Sequence, residues 1–268
     1  MSTKIQEEYE QSRKYELSEI NGEKLAELTL ENVAKVEAMI RTDSNYRIAL
    51  DDSEKSPYWI LEMKKLLNGE RGDYDKDYVV KRIVTLLNKE NSTHLNTDGV
   101  GLDEMPKRIL EKWDNILDSL RKRERGMDLI KFLSEKTPAA PGKKGRQNVS
   151  FASKFCHFSC FYIFKGEEAQ DNFSIYDGVV ANALPAYLDY YEQKLLDQKI
   201  DLKKIKKEIK NKNYEEYSRA IDAIIEASGS QISRNGFDHL VWYYFKGEPK
   251  KTRRKNKQKS PPDVSALK

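Results

Sequence analysis

Apolar residues recur at helical spacing along most of this chain, and this periodicity limits the folds that it can adopt. In the segment EKLAELTLENVAKVEAMI the apolar positions follow the i, i+3, i+4, i+7 pattern of one helix face. The same kind of pattern occurs in the ranges 56–69, 74–91, 102–126, 127–136, 173–196, 214–228 and 236–247. No segment has the sustained alternation that is typical of a strand, so the sequence predicts an all-α fold.

Capping residues, prolines and composition set the expected limits of individual helices. The pattern over residues 102–126 predicts one long helix that ends at Gly126. The apolar run VSFASKFCHFSCFYIF, residues 149–164, has few β-branched residues and is predicted to be a buried helix. Asp177 is suited to the N-cap of the following helix, and Pro185 is expected to kink or divide that helix.

The clearest loop in the chain is TPAAPGKKGRQN, and it separates two regions of predicted helix. We expect a two-lobed helical bundle, with residues 1–125 as an N-terminal lobe and residues 126–248 as the second lobe. Beyond Pro249 the chain is polar, basic and almost without apolar residues. Residues 249–268 are therefore predicted to be a disordered tail.

The basic clusters all lie beyond residue 120, although the net charge is only +4. Lysine and arginine cluster at residues 121–125, 142–146, 199–212 and 250–259. Several separate cationic clusters are typical of a protein that binds a polyanion. The alternative is that each cluster is an ordinary solvated helix face or tail. Their concentration in one half of the chain favours a nucleic-acid partner.

The composition argues against a membrane protein. Hydrophobic residues make up 38% of the chain and charged residues 34%, with no apolar run of about 18 residues. The first residues lack the apolar segment of a secretory signal, and two cysteines do not make a disulfide framework. We therefore expect a cytoplasmic protein in a reducing compartment.

Cys156, His157 and Cys160 lie close together in the predicted buried helix, which raises the question of a metal site. The two cysteines are four positions apart and share a helix face, whereas His157 lies off that face. A structural zinc site needs four ligands, and only His94 and His239 remain as further histidine or cysteine donors. We interpret the two cysteines as packing residues, and we expect neither a metal nor a cofactor.

Asp177 and the aromatic residues are the other candidates that the residues themselves suggest. Backbone N–H groups hold an N-cap carboxylate ionised, so Asp177 is able to act as a base or stabilise a developing cation. Ordinary helix capping is the simpler interpretation of this residue. Aromatic residues are numerous between Tyr187 and Phe245, where core packing and base stacking both use such side chains.

The order of these features resembles the helix-hairpin-helix DNA glycosylase superfamily, particularly its 8-oxoguanine-glycosylase-like branch. A loop with glycine and lysine precedes a helix that begins VSFASKF, and the motif FSIYDGVVANAL follows. In that superfamily the hairpin binds a DNA phosphate, the second hairpin helix carries a lysine in many bifunctional members, and an Asp begins the next helix. This chain departs from the usual hairpin sequence Leu-Pro-Gly-Val-Gly. Ser150 and Asp177 are 27 positions apart, which fits an inserted loop at residues 164–172.

The resemblance implies roles for three candidate catalytic residues. Asp177 corresponds to the catalytic Asp of the superfamily. Ser150 occupies the position of the lysine, which implies the monofunctional form of the enzyme. Lys154 lies one turn further along the same helix face and is the alternative source of an amine.

The resemblance also implies a DNA-binding hairpin and a base pocket. Gly142 and Gly145 correspond to the hairpin glycines. The DNA-binding residues are then Lys143, Lys144, Gly145, Arg146, Gln147 and Asn148. The base pocket is assigned to the aromatic residues Phe155, Tyr176, Trp242 and Tyr243. Because the base sits between two lobes in the superfamily, we expect one compact unit, and we expect a monomer.

The implied function is excision of a modified or damaged base that is flipped out of double-stranded DNA. Asp177 would stabilise oxocarbenium-like charge at C1′ of the sugar. Some members of this branch act in bacterial defence, so phage DNA with modified bases is one expected substrate. Two alternatives stay open: a catalytically inactive nucleic-acid-binding protein of the same fold, and a helical protein–protein interaction module.

Overall fold

A computed structural model describes residues 17–18, 25–42, 65, 70, 75–90, 93–95, 100–122, 125–136, 141–142, 145, 147–164 and 166–246. These residues are mostly helical, which confirms the predicted all-α class. The exception is a pair of two-residue strands, β1 (Leu17–Ser18) and β2 (Leu25–Ala26), which pair in parallel. The predicted tail at 249–268 lies outside the described residues, as does the predicted helix at 56–69 apart from Lys65.

The helices that precede the hairpin loop are α1 (Leu30–Thr42), α2 (Lys76–Glu90), α3 (Gly101–Glu111), α4 (Trp113–Arg121) and α5 (Met127–Ser134). The predicted start of α1 was wrong by several residues, because β2 occupies Leu25 and Ala26. The hydroxyl of Thr29 caps α1 by accepting the backbone N–H of Asn32 at 3.1 Å. The apolar spacing before Thr29 therefore reflects the burial of these side chains and not a helical backbone.

The single long helix predicted over residues 102–126 is in fact two helices, α3 and α4. The backbone leaves the helical range at Lys112, where φ is −117° and ψ is 21°. The apolar spacing continues across this break, since Ile109, Trp113 and Ile116 are all buried. Periodicity alone does not detect such a break.

The second half contains α6 (Val149–Ile163), α7 (Gly178–Tyr190), α8 (Glu192–Asp197), α9 (Leu202–Lys210), α10 (Tyr214–Ser228) and α11 (Arg234–Phe245). A 3₁₀ turn at Glu168–Asp171 lies between α6 and α7. Helix α7 passes through Pro185, so Pro185 does not divide it. The division falls instead at Tyr191, where φ is −93° and ψ is 14°.

The basic cluster at residues 199–212 contains a helix that the sequence analysis did not identify. Asp201 caps α9 by accepting the backbone N–H of Lys204 at 2.9 Å. Leu202, Ile205 and Ile209 are buried on one face. The exposed lysines of this cluster thus form the outer face of an amphipathic helix.

The first and last described helices pack against each other, since α1 contacts α11. The Tyr187 hydroxyl in α7 donates to the carbonyl oxygen of Ala26 at 2.9 Å. In the same region, His239 Nδ1 of α11 lies 3.1 Å from a carboxylate oxygen of Glu37 in α1. These contacts join the N-terminal segment to the C-terminal helices, while the predicted lobe boundary at residue 125 stays a prediction.

Arg234, the first residue of α11, fixes the start of this helix. Its Nε donates to Asp222 of α10 at 2.6 Å, and its guanidinium donates to the backbone oxygen of Asp171 at 2.9 Å. The Asp171 carboxylate in turn accepts the backbone N–H groups of Arg234 and Asn235. The 3₁₀ turn, α10 and α11 therefore have fixed relative positions.

None of the helices in the described ranges is long and apolar enough to cross a membrane. In the same ranges, no cluster of three or more His, Cys, Asp or Glu side chains is arranged to hold a metal ion.

Candidate functional site

Helices α5 and α6 pack against each other, and the predicted hairpin loop connects them. Pro141 and Gly142 form an exposed turn in which Gly142 has a φ of +79°, a left-handed conformation that favours glycine. The loop closes where the backbone N–H of Asn148 donates to the carbonyl oxygen of Ser134 at 3.0 Å. The Asn148 side chain also donates, to the carbonyl oxygen of Glu135 at 3.4 Å.

The predicted DNA-binding residues are only partly described. Gly145 is half-buried, Gln147 is exposed and Asn148 is buried within the loop contacts above. The remaining three, Lys143, Lys144 and Arg146, lie outside the described residues. Their contact with DNA stays a prediction.

Arg108 of α3 supports the start of this loop, a role that the sequence analysis missed. Its guanidinium donates to the carbonyl oxygens of Glu135 at 2.6 Å and Lys136 at 3.0 Å. These carbonyls follow the end of α5, where no further helical turn satisfies them. The Arg108 side chain therefore satisfies the backbone carbonyls that follow the C-terminal end of α5.

A non-helical segment, Phe173–Tyr176, leads into Asp177, and side chains hold its backbone at every residue. From α6, His157 Nδ1 donates to the Phe173 carbonyl at 2.7 Å, and the Ser153 hydroxyl accepts the Tyr176 N–H at 2.9 Å. A buried carbonyl oxygen without a partner is costly, and this arrangement avoids that cost. His157 thus has a structural role and no metal partner is needed to explain it.

Two tyrosines of α10 hold the same segment from the other side. The Tyr214 hydroxyl donates to the carbonyl oxygen of Ser174 at 2.8 Å, and that of Tyr217 donates to the carbonyl oxygen of Ile175 at 2.8 Å. Tyr217 also receives a hydrogen bond from the backbone N–H of Asp177. Because both tyrosines are buried, the position of Asp177 is fixed from α6 and from α10.

Asp177 is the N-cap of α7, which confirms the helix start that the sequence predicts. One carboxylate oxygen accepts the backbone N–H of Val179 at 2.7 Å. The side chain is half-buried and lies at the positive end of the helix dipole. Negative charge is stabilised at such a position, by the hydrogen bond from Val179 and by the helix dipole.

Lys154 of α6 is 7% exposed and interacts electrostatically with Asp177 and with Asp238. Burial lowers the pKa of its ammonium group, and the two carboxylates oppose this change. Ser150, one turn earlier, is half-buried, and its carbonyl oxygen accepts the Ser153 hydroxyl at 3.2 Å. Of the two candidate positions, Lys154 is the one with an amine that interacts with Asp177.

Asp238 of α11 is the third member of this cluster, and the sequence analysis missed it. It is 7% exposed, and its Oδ1 has no hydrogen-bond partner among the described residues. Burial raises the pKa of its carboxyl group to about 7. An acidic residue inside the apolar run GFDHLVWYYF is the signal that would have identified it, as the lysine inside VSFASKFCHF identified Lys154.

The predicted base-pocket aromatics occupy different surroundings. Phe155 is fully buried and stacks on Phe151 with ring centroids 6.1 Å apart. Tyr176 is buried beside Tyr217, with ring centroids 4.8 Å apart. Trp242 and Tyr243 are half-buried near the end of α11, where the Lys246 ammonium lies 3.8 Å from the Trp242 ring centroid. Of these four aromatic residues, only Tyr176 is a neighbour of Asp177 in the chain.

Cys156 and Cys160 are buried free thiols in α6. Burial raises the pKa of Cys160 to about 12 and that of Cys156 well above its usual value. Thiolates, the form that binds metals and attacks electrophiles, are therefore disfavoured at both positions. Both side chains belong to the hydrophobic core.

The described site thus brings together a buried amine, an N-cap carboxylate and a buried carboxyl from three separate helices. No protein-family model, curated protein or solved structure matches this chain.

Proposed function

We propose that this protein is a DNA N-glycosylase that excises a modified or damaged base, with Asp177 and Lys154 at the reacting sugar. The observation that carries this proposal is the electrostatic interaction between the Lys154 amine and the Asp177 carboxylate inside the protein. A buried amine of lowered pKa is suited to attack an electrophilic carbon.

Asp177 is suited to stabilising positive charge. Cleavage of an N-glycosidic bond develops oxocarbenium-like charge at C1′, and an ionised carboxylate nearby lowers the energy of that state. The Val179 N–H and the start of α7 place positive electrostatic potential at this carboxyl group. Four side-chain contacts to the preceding segment fix the position of the carboxylate, so it does not have to reorganise during the reaction.

Lys154 is proposed to supply the nucleophile, in preference to the monofunctional form that Ser150 implies. Burial favours the neutral amine, whose lone pair is needed for attack on C1′. The described hydrogen bond of Ser150 is made to Ser153 through its carbonyl oxygen and not to Asp177. The bifunctional form of the enzyme, with a covalent imine to the opened sugar, is therefore favoured over attack by water.

DNA would be held by the hairpin loop and by the basic residues around it. Gly142 forms a left-handed turn, the backbone of Asn148 is bonded to Ser134, and the cations of the 142–146 sequence would supply charge for phosphates. DNA whose bases are modified, such as phage DNA, is the proposed substrate class. The target nucleotide would leave the duplex before reaction, because a stacked base shields C1′ and the glycosidic bond.

The test is base release from duplexes that each carry one modified or damaged base, followed by detection of the abasic site. Asp177→Asn is expected to slow release by about 10²–10³-fold, because it removes the charge that stabilises the transition state. Asp201→Asn is the matched control, since Asp201 is also an N-cap carboxylate. This control variant is expected to release the base at the wild-type rate.

Borohydride present during the reaction tests the role of Lys154. A covalent protein–DNA adduct that Lys154→Ala lacks would support the amine nucleophile, whereas base release without an adduct would support attack by water. DNA binding that weakens with salt but gives no base release from any duplex would point to the inactive binding protein. Absence of DNA binding would point to the interaction module.

A further inference from the structure

We propose that Asp238 is the general acid that protonates the departing base. This inference rests on the proposed function, and it assigns a role to a residue outside the Asp177 and Lys154 pair. It predicts two carboxyl groups with different tasks at one reacting centre. Asp177 would carry the negative charge and Asp238 would carry the proton.

The position of Asp238 is the first support. It lies in the middle of α11, is 7% exposed and interacts electrostatically with both Asp177 and Lys154. Its Oδ1 has no hydrogen-bond partner among the described residues. A buried carboxyl oxygen without a partner is rare in proteins, and such an atom calls for an explanation. A base bound beside Asp177 and Lys154 would supply the absent partner.

The contrast between the two carboxyl groups is the second support. Asp177 accepts a backbone N–H at a helix N-terminus, a position where the helix dipole stabilises negative charge. Asp238 lies within α11, beyond the first turn of this helix, and its burial favours the neutral acid. Enzymes that cleave glycosidic bonds separate acid and anion roles in this way.

The charged and titratable groups around Asp238 come from four helices. His239 follows it in α11, Asp177 begins α7, Lys154 lies in α6 and the Tyr217 hydroxyl lies in α10. Burial raises the pKa of Asp238 to about 7, and Asp177 adds to this effect. His239 and Lys154 oppose it without reversing it. Near neutral pH the group therefore holds a proton that it is able to transfer.

The proposed step is balanced in protons and electrons. The lone pair of the neutral Lys154 amine forms the bond to C1′ while the bond from C1′ to the base nitrogen breaks. The electron pair of the broken bond stays with the base, which takes the proton from the Asp238 carboxyl group. Asp238 becomes a carboxylate, and solvent returns a proton to it after the base has left.

The experiment compares Asp238→Asn with wild type on two duplexes. One duplex carries the modified base that wild type releases, and the other carries an abasic site, which has no base to protonate. Asp238→Glu tests rescue by a second carboxyl group. Glu216→Gln is the matched control, because Glu216 is also a buried acidic residue with a carboxyl oxygen that has no hydrogen bond among the described residues, although Glu216 forms ion pairs with Lys204 and Arg219.

Asp238→Asn is expected to slow base release by about 10²-fold or more, the usual effect of general acid catalysis. It is expected to retain affinity for the abasic duplex, and it should form the borohydride adduct at a similar rate when each protein is assayed at its own optimal pH. Asp238→Glu should recover part of the base release. The wild-type rate should fall as pH rises through about 7, and this decline should be absent in Asp238→Asn.

Two outcomes would overturn the assignment of Asp238 while leaving the glycosylase intact. One is base release by Asp238→Asn at the wild-type rate. The other is an equal loss of base release and of abasic-site adduct, which would indicate a general effect on Lys154 or on folding. If wild type releases no base from any duplex, the proposed function fails, and the assignment of Asp238 fails with it.

Discussion

The backbone N–H of Val179 donates to a carboxylate oxygen of Asp177 across 2.7 Å, so the residue proposed to stabilise the transition state also caps α7. The two roles are separable by substitution. Asn caps a helix about as well as Asp, whereas Ala costs about 1 kcal/mol in the free energy of unfolding.

We therefore expect Asp177→Asn to unfold at the wild-type denaturant concentration and to lose base release. Asp177→Ala should lose both base release and about 1 kcal/mol of stability. Urea unfolding and the base-release assay, run on the same preparations, measure both quantities. A large loss of stability in Asp177→Asn would contradict the prediction.

Asp238 is predicted to make the protein less stable as pH rises. Its carboxyl pKa is raised by burial from 3.8 to about 7, so between these values the folded state holds a proton that the unfolded state releases. The free energy of unfolding therefore falls from about pH 4 to about pH 7, as the linkage relation requires.

Asp238→Asn removes this dependence. Each pKa unit corresponds to about 1.4 kcal/mol. The free energy of unfolding of the variant, relative to that of wild type, should therefore rise by on the order of 4 kcal/mol between pH 4 and pH 8. Urea unfolding of both proteins across this range measures the difference. A difference that stays constant with pH would show that Asp238 is ionised throughout.

His157 is predicted to make the protein less stable as pH falls, the opposite of the effect of Asp238. Burial lowers its pKa from 6.5 to about 4, so wild-type stability is complete above pH 6.5 and is lost as pH falls towards 4. His157→Leu should cost about 1–3 kcal/mol at pH 7, because the Phe173 carbonyl loses its donor. The stability gap between wild type and variant should narrow on acidification, and an unchanged gap would contradict the prediction.

Tyr217 and Tyr187 provide a matched pair for testing how Asp177 is positioned. Both are buried, and each hydroxyl donates to a backbone carbonyl, that of Ile175 at 2.8 Å and that of Ala26 at 2.9 Å. Each substitution by Phe should cost about 1–3 kcal/mol, because a buried carbonyl loses its partner.

Only Tyr217→Phe should also slow base release by the folded protein, by about tenfold or more, because its hydroxyl contacts the residues that lead into Asp177. Urea unfolding and single-turnover base release of both variants make the comparison. Equal rates in the two variants would show that this hydrogen bond does not position the carboxylate.

Gly142 and Gly229 allow the hairpin turn to be tested against a turn elsewhere. Both have left-handed backbones, with φ of +79° and +71°, and a Cβ on either meets no atom within 4 Å. Each substitution by Ala should cost about 1–2 kcal/mol of backbone strain. Only Gly142→Ala is expected to weaken binding of duplex DNA, which a salt titration of affinity would measure. Equal affinities would exclude the hairpin from the DNA interface.

Local features of the chain predicted much of the fold. The periodicity of α2, α5, α10 and α11 identified these helices because one face of each is buried, whereas α6 was identified by an apolar run with few β-branched residues. The break at Lys112 was missed because a change in backbone angles leaves the apolar spacing intact. Helix α9 was missed because its lysines obscured a narrow apolar face made of Leu202, Ile205 and Ile209.

The helical class and the start of α7 at Asp177 follow from the amino-acid sequence alone, because periodicity and capping depend on residues within one turn of each other. That Lys154 rather than Ser150 interacts with Asp177, and that Asp238 interacts with both, became visible only in the packed helices. These relationships depend on how α6, α7 and α11 pack, and side-chain burial after packing sets the pKa values of the amine and the acid. Neither the packing of these helices nor the burial of these side chains is encoded in the spacing of residues along the chain.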